Sequence, residues 1–182
     1  MLELYHAGLT ACSKKSRIVL KEKGLDYVSH YVSLSDFEHH DSEYLKLNPN
    51  GLVPTLVHDG AVIIESTVIN EYLDEVTEGN MLPADPLERA HCRAWIEFGN
   101  ALLSDAFTVT SVEDEAELAK ILAKLGDKLD RLEREIKGGP FFLGAEVSLV
   151  DAAMTPALQR LTWANEIHPP LALFAARPKV AG

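Results

Sequence analysis

The hydrophobic pattern of the chain changes character once, close to residue 77. Before that point, apolar runs of strand length alternate with segments whose apolar residues recur at helical spacing. The strand-like runs cover 2–6, 27–32, 55–58 and 61–64, and the helix-like segments cover 13–23 and 66–76. After that point, the apolar patterns follow the three- and four-residue steps of a helix. The chain is therefore predicted to form an α/β domain followed by an all-α domain.

The order of elements in the first domain predicts its topology. The order is strand, helix, strand, then strand, strand, helix, and Asp59-Gly60 between the last two strands is a strong two-residue hairpin signal. A strand–helix–strand crossover brings parallel strands into one sheet and is right-handed, whereas a hairpin adds antiparallel strands. We therefore predict a βαβ-ββα domain with a four-stranded mixed sheet and helices on its faces.

The linker and the first long helix have recognisable sequence signals. The predicted boundaries are 1–77 for the α/β domain, 78–85 for a linker and 86–182 for the helical domain. Asp85 and Pro86 are typical of a helix N-cap and first turn. The helix that follows is expected to bury Ala90, Ala94, Trp95, Phe98 and Leu102.

Composition and charge exclude several classes of function. With 17 basic and 28 acidic residues the formal net charge is −11, which argues against nucleic acid and anionic membranes as partners. No apolar run approaches the roughly 18 to 20 residues that span a bilayer, and no signal-peptide pattern follows Met1, so we expect a cytoplasmic protein. Two cysteines are too few for a disulfide framework, and their spacing predicts no metal site.

Cys12 and Ser13 form the first candidate site, at the junction of the first strand and helix. Free backbone N–H groups and the helix dipole at such a junction stabilise a thiolate. In the alternative interpretation, Cys12 is a small buried apolar residue and Ser13 is only an N-cap. Cys92, in the middle of a helix, is predicted to lie in the core.

Two further junctions carry candidate binding residues. Val53-Pro54 precedes a strand, so Pro54 is either a cis-proline that presents the backbone of Val53 to an extended peptide or an ordinary trans-proline. Glu65-Ser66 precedes a helix, whose N–H groups favour a ligand carboxylate while Glu65 suits an ammonium group. Alternatively, Ser66 serves only as a helix cap.

The remaining polar and aromatic candidates have simpler interpretations. His39 and His40 lie in the loop after the second strand, as solvated residues or as ligand contacts, without the further side chains that a metal site needs. Trp95 and Trp163 are interpreted as apolar bulk of the core or of a pocket.

Three segments together resemble one protein family. They are Asn48 to Leu56 (NPNGLVPTL), Glu65 to Leu73 (ESTVINEYL), and Leu143-Gly144 through Asp151-Ala152-Ala153. In this order they resemble the cytosolic glutathione S-transferases of bacteria. The resemblance implies a thioredoxin-like N-terminal domain, an all-helical C-terminal domain and glutathione as cosubstrate.

The resemblance also implies a binding role for individual residues. The backbone of Val53, beside a cis-proline at Pro54, would hold the cysteinyl part of glutathione. Glu65 and Ser66 would hold its γ-glutamyl end. His40 would reach the glycyl carboxylate.

The branch of the family depends on which side chain faces the glutathione sulfur. Ala11-Cys12-Ser13 resembles the beta class, in which the cysteine faces the sulfur. It is also similar to the zeta-like dehalogenases and isomerases, whose active serine would fall at Thr10. Residues 37–40 and 82–86 resemble the β-etherases, whose active serine would fall near Ser13. Cys12 and Ser13 are thus both candidate catalytic residues.

The resemblance implies a homodimeric transferase that joins or exchanges glutathione with a small hydrophobic electrophile. The electrophile would lie in an apolar groove against the helical domain, lined by Leu103, Phe107 and Trp163. Alternatives within the family are thiol exchange, dehalogenation and β-ether cleavage, and a non-enzymatic alternative is an interaction module of the stringent-starvation type. Residues 177–182 resemble the approach to a final helix, so we expect that helix to be absent and these residues to be poorly ordered.

Overall fold

The computed structural model describes residues 1–8 and 10–181, which form two compact units that divide between Met81 and Leu82. The elements of the first unit are β1 (Leu2–His6), α1 (Ala11–Glu22), β2 (Tyr27–Tyr31), a 3-10 turn (Glu38–His40), α2 (Ser42–Leu47), β3 (Thr55–His58), β4 (Ala61–Ile64) and α3 (Ser66–Glu75). The predicted βαβ-ββα order is confirmed, with the short α2 as an addition. Within the described residues, no helix is long and apolar enough to cross a membrane.

The sheet of the first unit is mixed, as predicted. Its strand order is β2-β1-β3-β4, with β1 and β2 parallel and the other two pairs antiparallel. Asp59 and Gly60 have φ of 49° and 86° in the β3–β4 hairpin, and this pair of positive angles matches the right-handed twist of the strands. The core joins the sheet to α1 and α3 through side chains without exposed surface: Leu4, Leu20, Leu56, Ile69 and Leu73.

The second unit is helical, as predicted. Its elements are α4 (Pro86–Val109), α5 (Glu115–Glu135), α6 (Leu149–Ile167), a 3-10 turn (Pro169–Leu171) and α7 (Pro178–Ala181). Asp85 caps α4, because its carboxylate accepts hydrogen bonds from the N–H groups of Leu87 and Glu88 at 2.9 Å. Ser148 and Asp151 form a capping box at the start of α6.

The face that α4 buries differs from the prediction. Ala90 and Ala94 are exposed, and Trp95 and Phe98 are half-buried. The buried face consists of Cys92, Ile96, Gly99, Leu102, Leu103, Ala106 and Val109. The reason is a close approach of α6 at Gly99, where an added Cβ would lie 3.3 Å from the backbone of Ala153. The spacing of the apolar residues predicted a helix, but the contact with α6 decides which face of α4 is buried.

Residues 177–181 were expected to be poorly ordered, and in the structure Pro178–Ala181 form the short helix α7, which contacts α5. The carboxylate of Glu133 accepts hydrogen bonds from the N–H groups of Lys179 and Val180 at 3.1 and 2.9 Å. Val180 is 7% exposed, so α7 is packed. These N–H groups belong to the first turn of a helix, where a carboxylate satisfies donors without an intrahelical partner. Gly182, included in that expectation, lies outside the described residues.

Candidate functional site

The register of the sheet brings the candidate segments of the first unit to one end. Thr55 at the start of β3 pairs with Tyr5 near the end of β1 and with Ile64 at the end of β4. The loop that leads into α1, the Val53-Pro54 segment and the Glu65-Ser66 junction therefore all lie at this end of the sheet. The sequence patterns did not predict that these three segments lie together, because their positions depend on the register in which the strands pair.

The loop between β1 and α1 is held by its own polar groups. The hydroxyl of Thr10 lies 2.8 Å from both the Ala7 carbonyl oxygen and Ser13 Oγ, the two acceptors within reach of its single proton. Ser13 Oγ accepts a further hydrogen bond from the N–H of Ala7 at 3.3 Å, and Ser13 has no exposed surface. Arg17 donates to the carbonyl oxygen of Gly8 at 2.9 Å. Thr10 and Ser13 thus fix the backbone of the loop.

Cys12 differs from its neighbour Ser13 in accessibility. It is the second residue of α1 and a free, half-buried thiol. The first N–H groups of α1 have no partner within the helix, and they lie beside it. Cys92 is free but 3% exposed, and burial raises the pKa of its thiol; Lys137 lowers this pKa and Glu88 raises it, both to a smaller extent. Of the two thiols, Cys12 is the one that a ligand can reach.

The Val53–Pro54 peptide bond is cis. Pro54 is buried and Val53 is half-buried. No hydrogen bond from another described residue reaches the backbone of Val53, which leaves its donor and acceptor for an extended ligand.

Two side chains that the sequence interpretation had not assigned to the site fix this segment. The Tyr44 hydroxyl donates to the Leu52 carbonyl oxygen at 2.6 Å, and the Asn48 amide donates to the same oxygen at 2.8 Å. Both also lie within hydrogen-bond distance of Thr55 Oγ1, at 2.9 and 3.1 Å. Burial raises the pKa of Tyr44, while hydrogen bonds to Thr55 and Asn48 oppose the shift. Asn48 belongs to the NPNGLVPTL segment, which was the available signal.

The junction between β4 and α3 has a strained backbone. Glu65 has φ of 69° and ψ of 116°, a conformation that costs a residue with a side chain about 1 to 3 kcal/mol. Glu65 is the N-cap residue and its side chain is exposed, whereas Ser66 is the first residue within α3 and is 9% exposed. The alternative in which Ser66 caps the helix is therefore wrong. Its hydroxyl has no hydrogen-bond partner among the described residues.

His40 lies next to the loop that contains the cis peptide bond. An added Cβ on Gly51, whose φ is 61°, would lie 3.0 Å from His40 Nδ1. The ring of His40 is exposed, and its centroid is 4.0 Å from that of His39. Within residues 1–8 and 10–181, no cluster of three or more side chains is suited to a metal ion.

The three residues expected to line an electrophile pocket belong to the second unit. Leu103 and Phe107 are one turn apart on α4, and Trp163 is on α6. Leu103 is 5% exposed, while Phe107 and Trp163 are each 45% exposed. The guanidinium carbon of Arg160 lies 3.9 Å from the ring centroid of Phe107, a neighbour that the sequence interpretation missed.

Comparison with known proteins identifies the family. Residues 11–76 match the model of the glutathione S-transferase N-terminal domain, and residues 115–182 match that of the C-terminal domain. A glutathione transferase of Zea mays, GST 23, is 36% identical over 171 residues, which cover 86% of this chain and 74% of the maize protein. The chain belongs to the glutathione S-transferase family.

Other members and relatives of the family match to different extents. Protein LigF of a Sphingobium species is 48% identical over 100 residues, but the match covers 53% of this chain and only 39% of LigF. A stringent starvation protein A homolog of Coxiella burnetii is 32% identical over 179 residues, covering 94% of this chain and 81% of that protein. The Tau class glutathione S-transferase of mango has a TM-score of 0.86 at 26% identity, covering 99% of this chain and 84% of the mango protein.

These findings confirm the family and the fold that the sequence predicted. They also give the cosubstrate, because glutathione is the thiol that this family uses. The branch within the family and the roles of individual residues stay predictions.

Proposed function

We propose that this glutathione transferase binds glutathione across one end of the sheet and transfers its thiolate to a hydrophobic electrophile. The observation that carries the proposal is the Glu65-Ser66 junction. A strained glutamate with an exposed carboxylate is followed by a serine hydroxyl without a partner among the described residues. Strain of this kind persists where surrounding structure enforces it, often at ligand sites.

Each part of glutathione has a complementary group in the proposed site. The γ-glutamyl ammonium pairs with the Glu65 carboxylate, and the neighbouring carboxylate accepts hydrogen bonds from Ser66 and the first N–H groups of α3. The backbone of Val53 pairs with the cysteinyl part as a short strand would. His40 contacts the glycyl carboxylate. This arrangement directs the sulfur towards Cys12 at the start of α1.

The N-terminus of α1 stabilises the glutathione thiolate. The thiolate attacks the electrophilic carbon, a carbon–sulfur bond forms, and the leaving group departs with its electron pair. Because Ser13 is buried and hydrogen-bonded within the loop, we assign it a structural role and place Cys12 beside the sulfur.

The accessibility of Cys12 favours thiol exchange as a second reaction of the same site. Its thiolate attacks one sulfur of glutathione disulfide, a mixed disulfide forms, and glutathione thiolate leaves. We further propose a homodimer, as the family resemblance implies. A cytoplasmic location is part of the proposal, because free Cys12 and Cys92 suit a reducing compartment.

Calorimetric titration with glutathione tests the binding site. Glu65→Ala and Ser66→Ala are each expected to weaken binding about tenfold or more, because each removes a hydrogen bond to a charged ligand group. The matched control is Glu75→Ala, which removes an exposed carboxylate at the far end of α3 and should leave affinity unchanged. Wild-type affinity in both variants would refute the site. Absence of binding to the unmodified chain would instead favour a non-catalytic interaction module.

A further inference from the structure

An arginine lies among exposed aromatic side chains on the helical unit. Besides its contact with the Phe107 ring, Arg160 donates from Nε and Nη2 to Thr110 Oγ1 at 3.0 and 2.7 Å. Trp163 follows Arg160 by three positions on α6, so the two side chains share a face of the helix. The contacts with Phe107 and Thr110 hold the guanidinium beside aromatic surface that remains accessible.

The charge of Arg160 lacks a carboxylate partner in the described part of the chain. The residues three and four positions away on α6 are Pro156, Ala157, Trp163 and Ala164. Asp105, on α4, is instead paired with Lys128 at 2.5 Å. No described residue accepts a hydrogen bond from Arg160 Nη1, so its N–H groups are available to a ligand.

A second arginine of the same unit provides a contrast. The guanidinium carbon of Arg131 lies 4.9 Å from the ring centroid of Trp95. On α5, however, Asp127 and Glu135 lie four positions before and after it, at the spacing at which acids balance a basic side chain. Arg131 therefore shares the aromatic contact of Arg160, but α5 carries acids at this spacing from Arg131, whereas α6 carries none at this spacing from Arg160.

We propose that Arg160 selects aromatic electrophiles that carry an anionic group. The ring of the substrate packs against Phe107 and Trp163, and its anion accepts charge-assisted hydrogen bonds from Nη1 of Arg160. A guanidinium suits this role because it is weakly hydrated and remains charged while it stacks on a ring. The inference rests on the proposed function, since it names the substrate class of that transferase.

Binding is tested without any catalytic step. Two fluorescent aromatic probes, anilinonaphthalenesulfonate and uncharged N-phenylnaphthylamine, are titrated into the wild type and three variants. Arg160→Gln is expected to weaken the sulfonate about tenfold or more and to change the uncharged probe less than about twofold. Arg160→Lys keeps the charge and should retain part of the sulfonate affinity. Arg131→Gln is the matched control and should leave both affinities unchanged.

Three outcomes of the titration overturn the assignment, two of them seen in the variants and one in the wild type. One is equal loss of both probes in Arg160→Gln, which would mean that the variant disturbs packing without removing an anion contact. The other is loss of the sulfonate in Arg131→Gln but not in Arg160→Gln. Failure of the wild type to bind the sulfonate overturns it as well.

Kinetics then separate this inference from the proposed function. A chlorodinitrobenzoate and its uncharged methyl ester are compared as acceptors of glutathione. The ratio of their kcat/KM values should fall about tenfold or more in Arg160→Gln and stay constant in Arg131→Gln. An unchanged ratio in Arg160→Gln refutes substrate selection by this residue. If neither compound is conjugated while the probe result holds, the proposed function fails and the anion site stands.

Discussion

A buried ion pair connects three segments of the first unit, and breaking it should cost more stability than any exposed pair. The side chains of Lys23 and Asp74 are 5% and 7% exposed, and their charged atoms are 2.9 Å apart. The Lys23 ammonium also donates to the carbonyl oxygens of Glu78 and Gly79 at 3.2 and 2.7 Å. Asp74 Oδ1 accepts the N–H of Met81 at 2.8 Å. Thus the pair ties the ends of α1 and α3 to residues 78–81.

Asp74→Asn isolates the contribution of the charge. Asparagine keeps an oxygen for the N–H of Met81 but leaves the buried ammonium of Lys23 without its counter-ion. Removing one partner of a buried pair costs about 3 to 5 kcal/mol. Because two carbonyl oxygens still accept from the ammonium, we expect a loss near the lower end, about 3 kcal/mol in the free energy of unfolding. Urea denaturation followed by circular dichroism measures this loss.

The chain offers a matched exposed pair as a control. Lys46 and Glu43 are 2.5 Å apart, and their side chains are 68% and 81% exposed. Glu43→Gln should therefore cost less than about 1 kcal/mol. Combining Lys23→Met with Asp74→Asn should recover part of the loss, because the unpaired buried charge disappears. The reasoning fails if Asp74→Asn costs no more than Glu43→Gln, or if the double variant is less stable than the single one.

Two further predictions concern the thiols and the assembly. Cys12 should react with a thiol-specific alkylator faster than Cys92 near neutral pH, because Cys92 is 3% exposed and its raised pKa keeps the thiol protonated. Peptide mapping by mass spectrometry measures both rates, and equal rates would contradict the site. Light scattering should give a mass of about twice 20.0 kDa for the proposed homodimer, and a monomer at micromolar concentration would contradict that assembly.

Individual residues of the candidate site could be predicted from the sequence, but their arrangement in space could not. Cys12, Val53 and Glu65 were found because each lies at a junction between elements, and junctions are visible in the hydrophobic pattern. Which of Cys12 and Ser13 is buried was not visible, because it depends on which side chain turns into the loop. Ser13 does so, since its oxygen accepts a hydrogen bond from the buried N–H of Ala7.

The features that the sequence by itself determined depend on interactions between neighbouring residues. The order of strands and helices, the turn at Asp59-Gly60 and the start of α4 at Asp85 all depend on residues within a few positions of one another. The energies that decide them are therefore contained in short segments, and the structure agrees with these predictions.

Tertiary structure alone decided the features that depend on contacts between distant segments. Strand register placed the segments around Val53 and Glu65 at the end of the sheet where β1 leads into α1. The approach of α6 selected the buried face of α4 at Gly99, and the same pair of helices brought Arg160 onto Phe107. Pairing and packing across many residues set these positions, because each segment alone is compatible with several registers and faces.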